Sequence, residues 1–134
     1  MVEHESPRWL VLDGYEDEPA AFGVPPYVGF HIRYLCGVLE NHGIDYQYMT
    51  IDQWRNLLRA SDQTPERLLR NIAGFACIAG AVVPGKYLRG TPVSVNEINE
   101  IVQFLPNNVP AILGGWAIRG WRHQGWNPLR KNLF

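Results

Sequence analysis

Cysteine is scarce in this sequence: Cys36 and Cys77 are the only two in 134 residues, far apart and each inside an apolar run. That pattern fits buried thiols and speaks against both a disulfide framework and a thiolate metal cluster. The four histidines, His4, His31, His42 and His123, are scattered without zinc spacing, so no metal site is expected. His31 and His42 read as helix-surface residues. No apolar run approaches the roughly 18 residues of a membrane-spanning helix, and the polar start MVEHESPRW has no signal-peptide core. A cytoplasmic protein with no membrane partner is the expectation. Excess charge is missing too: a net charge of -1 and a pI near 6.4 give no bulk attraction for nucleic acid or anionic lipid, which leaves only local patches. Internal repeats, low-complexity tracts and domain linkers are absent.

What is present is one domain's worth of apolar material. At 46% hydrophobic content, 134 residues can bury roughly two-thirds of their unfolded surface in a single core. The chain is organised around residues 11–43, a short apolar run, a wide loop and an amphipathic helix. RWLVLD, from Arg8 to Asp13, reads as a buried strand. Residues 14–24 form a long loop, and Pro25-Pro26 fit a helix start. Val28, Ile32, Leu35, Cys36 and Leu39 then share one helical face up to a stop at Gly43.

Residues 44–51 alternate as a second, edge strand. A helical stretch with Trp54, Leu57 and Leu58 on one side follows, and Thr64-Pro65-Glu66 restarts a helix. GFACIAGAVV, residues 74–83, is apolar throughout, the pattern of a central strand covered on both faces. Ser94 and Glu97 form a capping box for a helix running to Pro106, and residues 109–113 make a fourth strand closed by Gly114 and Gly115. The order β-α-β-α-β-α-β with right-handed crossovers predicts an α/β fold, a doubly wound, Rossmann-like parallel sheet in strand order 2-1-3-4. Residues 1–115 make up this domain. No fifth strand is evident in residues 116–134, so the domain looks cut short.

In such a sheet, ligands sit beyond the carboxyl ends of the strands. The loops there supply the candidate ligand-facing residues: Asp13, Gly14, Tyr15, Glu16, Asp17 and Glu18 after strand one, Pro84, Gly85, Lys86, Tyr87 and Arg89 after strand three, and Gly114, Gly115 and Trp116 after strand four. The acidic trio at 16–18 reads as a solvated run or as a salt link to Lys86 and Arg89 across the cleft. GAVVPGK, residues 80–86, matches the first seven places of a phosphate-binding P-loop. Tyr87 replaces the magnesium-binding hydroxyl, Pro84 removes an N–H, and Gly90 and Pro92 bar the helix that must follow. A phosphoacceptor receiver domain would need an aspartate where Gly80 and Ala81 stand. A flavodoxin would need a hydroxyl-rich loop after strand one, and a dinucleotide fold G-x-G-x-x-G; none is there.

The last stretch, residues 116–134, interleaves Trp116, Trp121 and Trp126 with Arg119, Arg122, Arg130 and Lys131 and holds no acid. It suits single-stranded nucleic acid and, equally, packing on a neighbouring domain.

Two phrases carry a family resemblance. PPYVGFHIRYLCGVLENHGIDYQYMTID resembles the first helix and second strand of the cobalamin-binding-like domain that precedes the catalytic barrel in many radical S-adenosylmethionine enzymes, and AILGGWAIRG resembles its LGG strand end. LDGYEDEPAAFGVPPY and AGAVVPGKYLRGTPVS are similar to the N-terminal part of an uncharacterised group of radical S-adenosylmethionine Fe–S oxidoreductases whose members often end in a helix-hairpin-helix. The resemblance spans residues 9–120. It implies a partner barrel that holds a [4Fe–4S] cluster on C-x-x-x-C-x-x-C and cleaves S-adenosylmethionine to a 5′-deoxyadenosyl radical, a motif this chain lacks. It also brings cobalamin into view, although Asp13, Gly14 and Tyr15 are followed by no histidine until His31, which argues against histidine-ligated cobalt.

The expectation is an accessory N-terminal domain, a fragment or a split product, that shapes the cleft through residues 14–19, 84–91 and 114–116 without catalysing alone. Its partner would be a radical S-adenosylmethionine catalytic domain, in the same chain or another. Arg119, Trp121, Arg122 and Trp126 would dock that domain. The alternative is a non-enzymatic module binding a small ligand or RNA.

Overall fold

A computed structural model describes residues 6–14, 30–60, 64–79 and 93–115. Its elements are β1 (Arg8–Asp13), α1 (Phe30–Asn41), β2 (Tyr46–Thr50), α2 (Ile51–Arg59), α3 (Pro65–Leu69), β3 (Ile72–Ala79), α4 (Val95–Phe104) and β4 (Ala111–Gly115). The four strands form one all-parallel sheet in the order β2-β1-β3-β4, as the sequence predicts.

Strand alternation divides the side chains between two faces. Leu10 and Leu12 of β1 and Phe75, Cys77 and Ala79 of β3 join Trp54 of α2, Leu69 of α3 and Ile98 and Ile101 of α4 in the larger core. Val11 and Ile78 face the other way and pack with Ile32 and Leu39 of α1. The crossover from β1 to β2 therefore runs on one face toward one edge, while those from β2 to β3 and β3 to β4 run on the opposite face toward the other edge. All three are of one hand, which the twist of strands makes right-handed. Helices on both faces make the sheet doubly wound. No helix among the described residues is long and apolar enough to cross a membrane.

Element boundaries depart from the sequence pattern where a cap decides them. Alternation runs on to Ile51, but β2 stops at Thr50, whose hydroxyl accepts from the Gln53 N–H while the Gln53 side chain accepts from the Thr50 N–H. This reciprocal cap turns strand directly into helix. The fourth strand lies two residues later than its apolar run, at Ala111–Gly115, so Gly114 and Gly115 are paired strand residues opposite Ile78 and Ala79. Pro110 has no N–H to give a ladder but accepts from the Phe75 N–H at 2.9 Å, which sets that start. β3 begins at Ile72, two residues before its expected start. The Pro25-Pro26 helix start, Val28 and residues 80–83 lie outside the described residues.

Two glycines test the packing in opposite senses. A Cβ on Gly14 would stand 2.4 Å from Val93 Cγ1 and 2.5 Å from the Ile78 carbonyl oxygen, whereas one on Gly37, exposed in α1, would meet nothing within 4 Å. Gly14→Ala is expected to cost about 2–4 kcal/mol because backbone must move. Gly37→Ala should stabilise by about 0.5–1 kcal/mol through helix propensity. Urea unfolding of the two variants measures both, and equal effects would contradict the packing described.

Candidate functional site at the carboxyl edge

The register lines up one residue from each strand near the carboxyl edge: Thr50 opposite Asp13, Asp13 opposite Ile78, and Ile78 opposite Gly114. With strands about 4.8 Å apart, Asp13 sits about 10 Å from Gly114. Asp13 is 5% exposed and Thr50 6%. Tyr48, two residues before the end of β2 and on the same face as Asp13, donates its hydroxyl to Asp13 Oδ2 at 2.8 Å. A carboxylate this deep needs such donors, because burying a charge without them is costly. The row thus places an anchored carboxyl group on the α1 face at the switch point between β1 and β3, where the chain departs to opposite sides of the sheet.

Beside Asp13, the edge is built of backbone. The Gly14 N–H donates to Ile78 at 2.8 Å and the Gly14 carbonyl accepts from Val93 at 2.9 Å, tying β1 to β3 and to the segment that enters α4. Gly115, at φ 106°, lies so close to Ala79 that a Cβ would stand 2.2 Å from its carbonyl oxygen. These glycines are explained by close approach of neighbouring chain.

On the opposite face of the sheet, α2 and α4 are tied together by charge. Arg55 on α2 grips Glu97 on α4 with a two-pronged contact, Nε to Oε2 and Nη2 to Oε1, both 2.8 Å, and also reaches Asp52 at 3.3 Å. Glu97 Oε1 accepts from the Ser94 N–H and hydroxyl at 3.0 Å, completing the capping box read from the sequence. Burial alone would raise the Glu97 carboxyl, but the hydrogen bonds from Arg55 and Ser94 outweigh it and hold the group below the usual range.

The cysteines offer no reactive centre. Cys77 is fully buried in the larger core, and burial pushes its thiol far up, with Asp13 and Glu97 adding to the rise. Cys36 packs on the opposite face of the sheet and is raised by burial, an effect that a hydrogen bond with Tyr46 partly offsets. The Tyr46 hydroxyl in turn donates to Glu40 at 2.5 Å, which raises its own pKa. The sheet between the thiols bars a shared metal or disulfide, and no group of three His, Cys, Asp or Glu among the described residues could hold a metal ion.

Of the candidates read from sequence, Asp13, Gly14, Gly114 and Gly115 are brought together at this edge. Tyr15, Glu16, Asp17, Glu18, Pro84, Gly85, Lys86, Tyr87, Arg89, Trp116, Arg119, Trp121, Arg122 and Trp126 lie outside the described residues. Tyr48, Thr50 and Arg55 escape sequence reasoning. The signal for the first two was the parity of Tyr46, Tyr48 and Thr50, which places hydroxyls on the face that Asp13 shares. Arg55 and Glu97 are distant in sequence, and nothing local pairs them.

Two measurements check this chemistry. Because the folded Glu97 value is depressed, its stabilisation is present above the unfolded value of about 4.3 and is lost as pH falls through the lower folded value. Glu97→Gln should therefore cost about 1 kcal/mol near pH 7 and nothing at acid pH; a deficit independent of pH would contradict the ion pair. In native alkylation, Cys77 should react at least about a hundredfold more slowly than in urea, with Cys36 intermediate. Equal rates for the two thiols would contradict their placement.

Comparison with known proteins finds two relatives of much greater length. The chain is 39% identical over 95 residues to an uncharacterized protein of Methanocaldococcus jannaschii, covering 71% of this chain and 16% of that protein. It is 46% identical over 88 residues to an uncharacterized protein of Archaeoglobus fulgidus, covering 66% of this chain and 16% of that one. No family model matches, and no solved structure matches. The chain spans about one-sixth of the length of the curated relatives it matches.

Proposed function

We propose that this α/β domain is the accessory domain of a larger radical S-adenosylmethionine enzyme, forming one wall of a substrate or cofactor cleft while another domain performs the chemistry. The observation that carries the proposal is the row at the carboxyl edge: Asp13 is buried and held by Tyr48, beside the Gly14 junction and the Gly114–Gly115 strand end. The length of the relatives supports it, since more than four-fifths of each lies outside the matched segment. The enzyme class in this reading rests on the resemblance of those sequence phrases to the cobalamin-binding-like domains of radical S-adenosylmethionine enzymes.

The described residues do not fit a [4Fe–4S] cluster, because the two thiols are raised by burial and face away from each other across the sheet. The cluster and S-adenosylmethionine would belong to the other domain. No histidine stands at the strand ends among the described residues, so cobalamin, if held at this edge, would lack a histidine ligand from them. The domain's own contribution is positional: a fixed carboxylate and a stiff backbone edge. A second reading, a module that binds a small ligand or RNA without a catalytic partner, draws on the same buried Asp13.

Reductive cleavage separates the two. After anaerobic reconstitution with iron, sulfide and dithionite, the full-length Archaeoglobus fulgidus relative should release 5′-deoxyadenosine from S-adenosylmethionine, and the 134-residue chain should release none. Failure of the full-length relative to form a cluster, or cleavage by the short chain alone, would overturn the proposal.

A further inference from the structure

Among the described residues, exposed apolar surface is confined to one side of the sheet. Every exposed residue of α2, α3 and α4 is polar, from Gln53, Asn56 and Arg59 to Asn99, Glu100 and Gln103. Those helices meet the sheet with one face and water with the other. The large apolar side chains that stand exposed are Tyr34 at 69%, Val38 at 41% and Ile112 at 46%, and all three lie on the α1 side. Ile112 belongs there because its neighbours Ala111 and Leu113 turn into the larger core.

Ile32 and Leu39, seven residues apart, point α1 at the sheet. At about 100° per residue, Tyr34, Gly37 and Asn41 then point away from it, with Val38 beside them. Arg33 and Glu40 fall on one flank, which the bond from Tyr46 to Glu40 turns toward β2. The outward face therefore holds no Asp, Glu, Lys or Arg, and α1 is apolar on two sides, the pattern of a helix covered on both. Gly37 is an independent sign. A Cβ there would meet nothing within 4 Å, so no neighbour requires glycine, and glycine in mid-helix weakens the helix relative to alanine. The missing side chain leaves a notch beside Tyr34, Val38 and Asn41 through which a group from outside can approach the α1 backbone closely.

We propose that the outward face of α1, centred on Gly37, is the surface by which this domain packs on the rest of a longer polypeptide, with an apolar partner group seated over the notch. Both relatives have the chain for it, since more than four-fifths of each lies outside the matched segment. The interface rests on the reading of this chain as one domain of a larger protein, and is independent of the chemistry of the larger part. Burial of Tyr34 and Val38 against a neighbour takes their apolar surface out of water, and the uncharged rim at Asn41 adds no desolvation of charge. The domain then has two separate surfaces toward its partner: the carboxyl edge with Asp13 lines the cleft, and α1 joins the two bodies.

Maleimide labelling tests this, read by peptide mass without iron or S-adenosylmethionine. In the 134-residue chain carrying Cys36→Ser, thiols introduced as Gly37→Cys and Arg33→Cys should both react fast. In the full-length Archaeoglobus fulgidus relative, a cysteine at the position aligned with Gly37 should react on the order of tenfold or more slowly than one aligned with Arg33. Hydroxyl-radical footprinting of the unsubstituted relative gives the same comparison without any substitution, with the outward face of that helix protected relative to its charged flank. Equal labelling of the two positions in the full-length protein overturns the proposal. So does slow labelling of Gly37→Cys in the short chain: growing with concentration it indicates a second copy, and constant over about a hundredfold range it indicates a cover from within the chain. Equal labelling removes this interface and leaves the carboxyl-edge cleft standing, whereas absence of 5′-deoxyadenosine removes the enzyme class and leaves the interface standing.

Discussion

The peptide at Gly14 is the point on which the rest of the structure depends. Its N–H binds the end of β3 and its carbonyl binds the residue that leads into α4, so one glycine joins β1, β3 and the start of α4. No side chain fits there, because Val93 and the Ile78 carbonyl already occupy the space a Cβ would need. The constraint also sets the functional geometry. Asp13 immediately precedes the junction, so its carboxyl hangs from backbone that is hydrogen-bonded and closely packed at the next residue.

Two further devices hold the edge. On the α1 face, Tyr48 fixes Asp13 from the neighbouring strand. On the other face, Arg55 and Glu97 tie α2 to the first turn of α4, and the same carboxylate caps that helix. A group that performs two jobs resists replacement: an amide at Glu97 keeps much of the cap but gives up the charge that draws Arg55. The cysteines contribute packing on opposite sides of the sheet and take no part in the edge chemistry.

Much of the fold was legible because the apolar runs are short and separated by strong stops. RWLVLD coincides with β1, the Ser94–Glu97 box with the start of α4, and Thr64-Pro65 with the start of α3. Right-handed crossovers then leave few orders to consider, and 2-1-3-4 is the one observed. Boundaries shifted where long-range bonding outweighed local pattern: the Pro110 carbonyl bonded to Phe75 moves β4 past its apolar run, and the Thr50 cap ends β2 before Ile51. The site was legible in part. Asp13 and the glycines announce themselves at strand ends, whereas Tyr48 and Arg55 matter through partners 35 and 42 residues away, a distance over which a single sequence carries no pairing signal.

The central claim is that the carboxyl edge of this sheet faces another part of a longer polypeptide. Hydrogen exchange tests it most directly, comparing the matched segment of the Archaeoglobus fulgidus relative in isolation with the same segment inside the full-length protein. The account predicts added protection at the positions aligned with the carboxyl ends of β1 and β4, and none at the amino ends near Arg8 and Ile72. Identical exchange in the two proteins, or protection gained only at the amino ends, would contradict it.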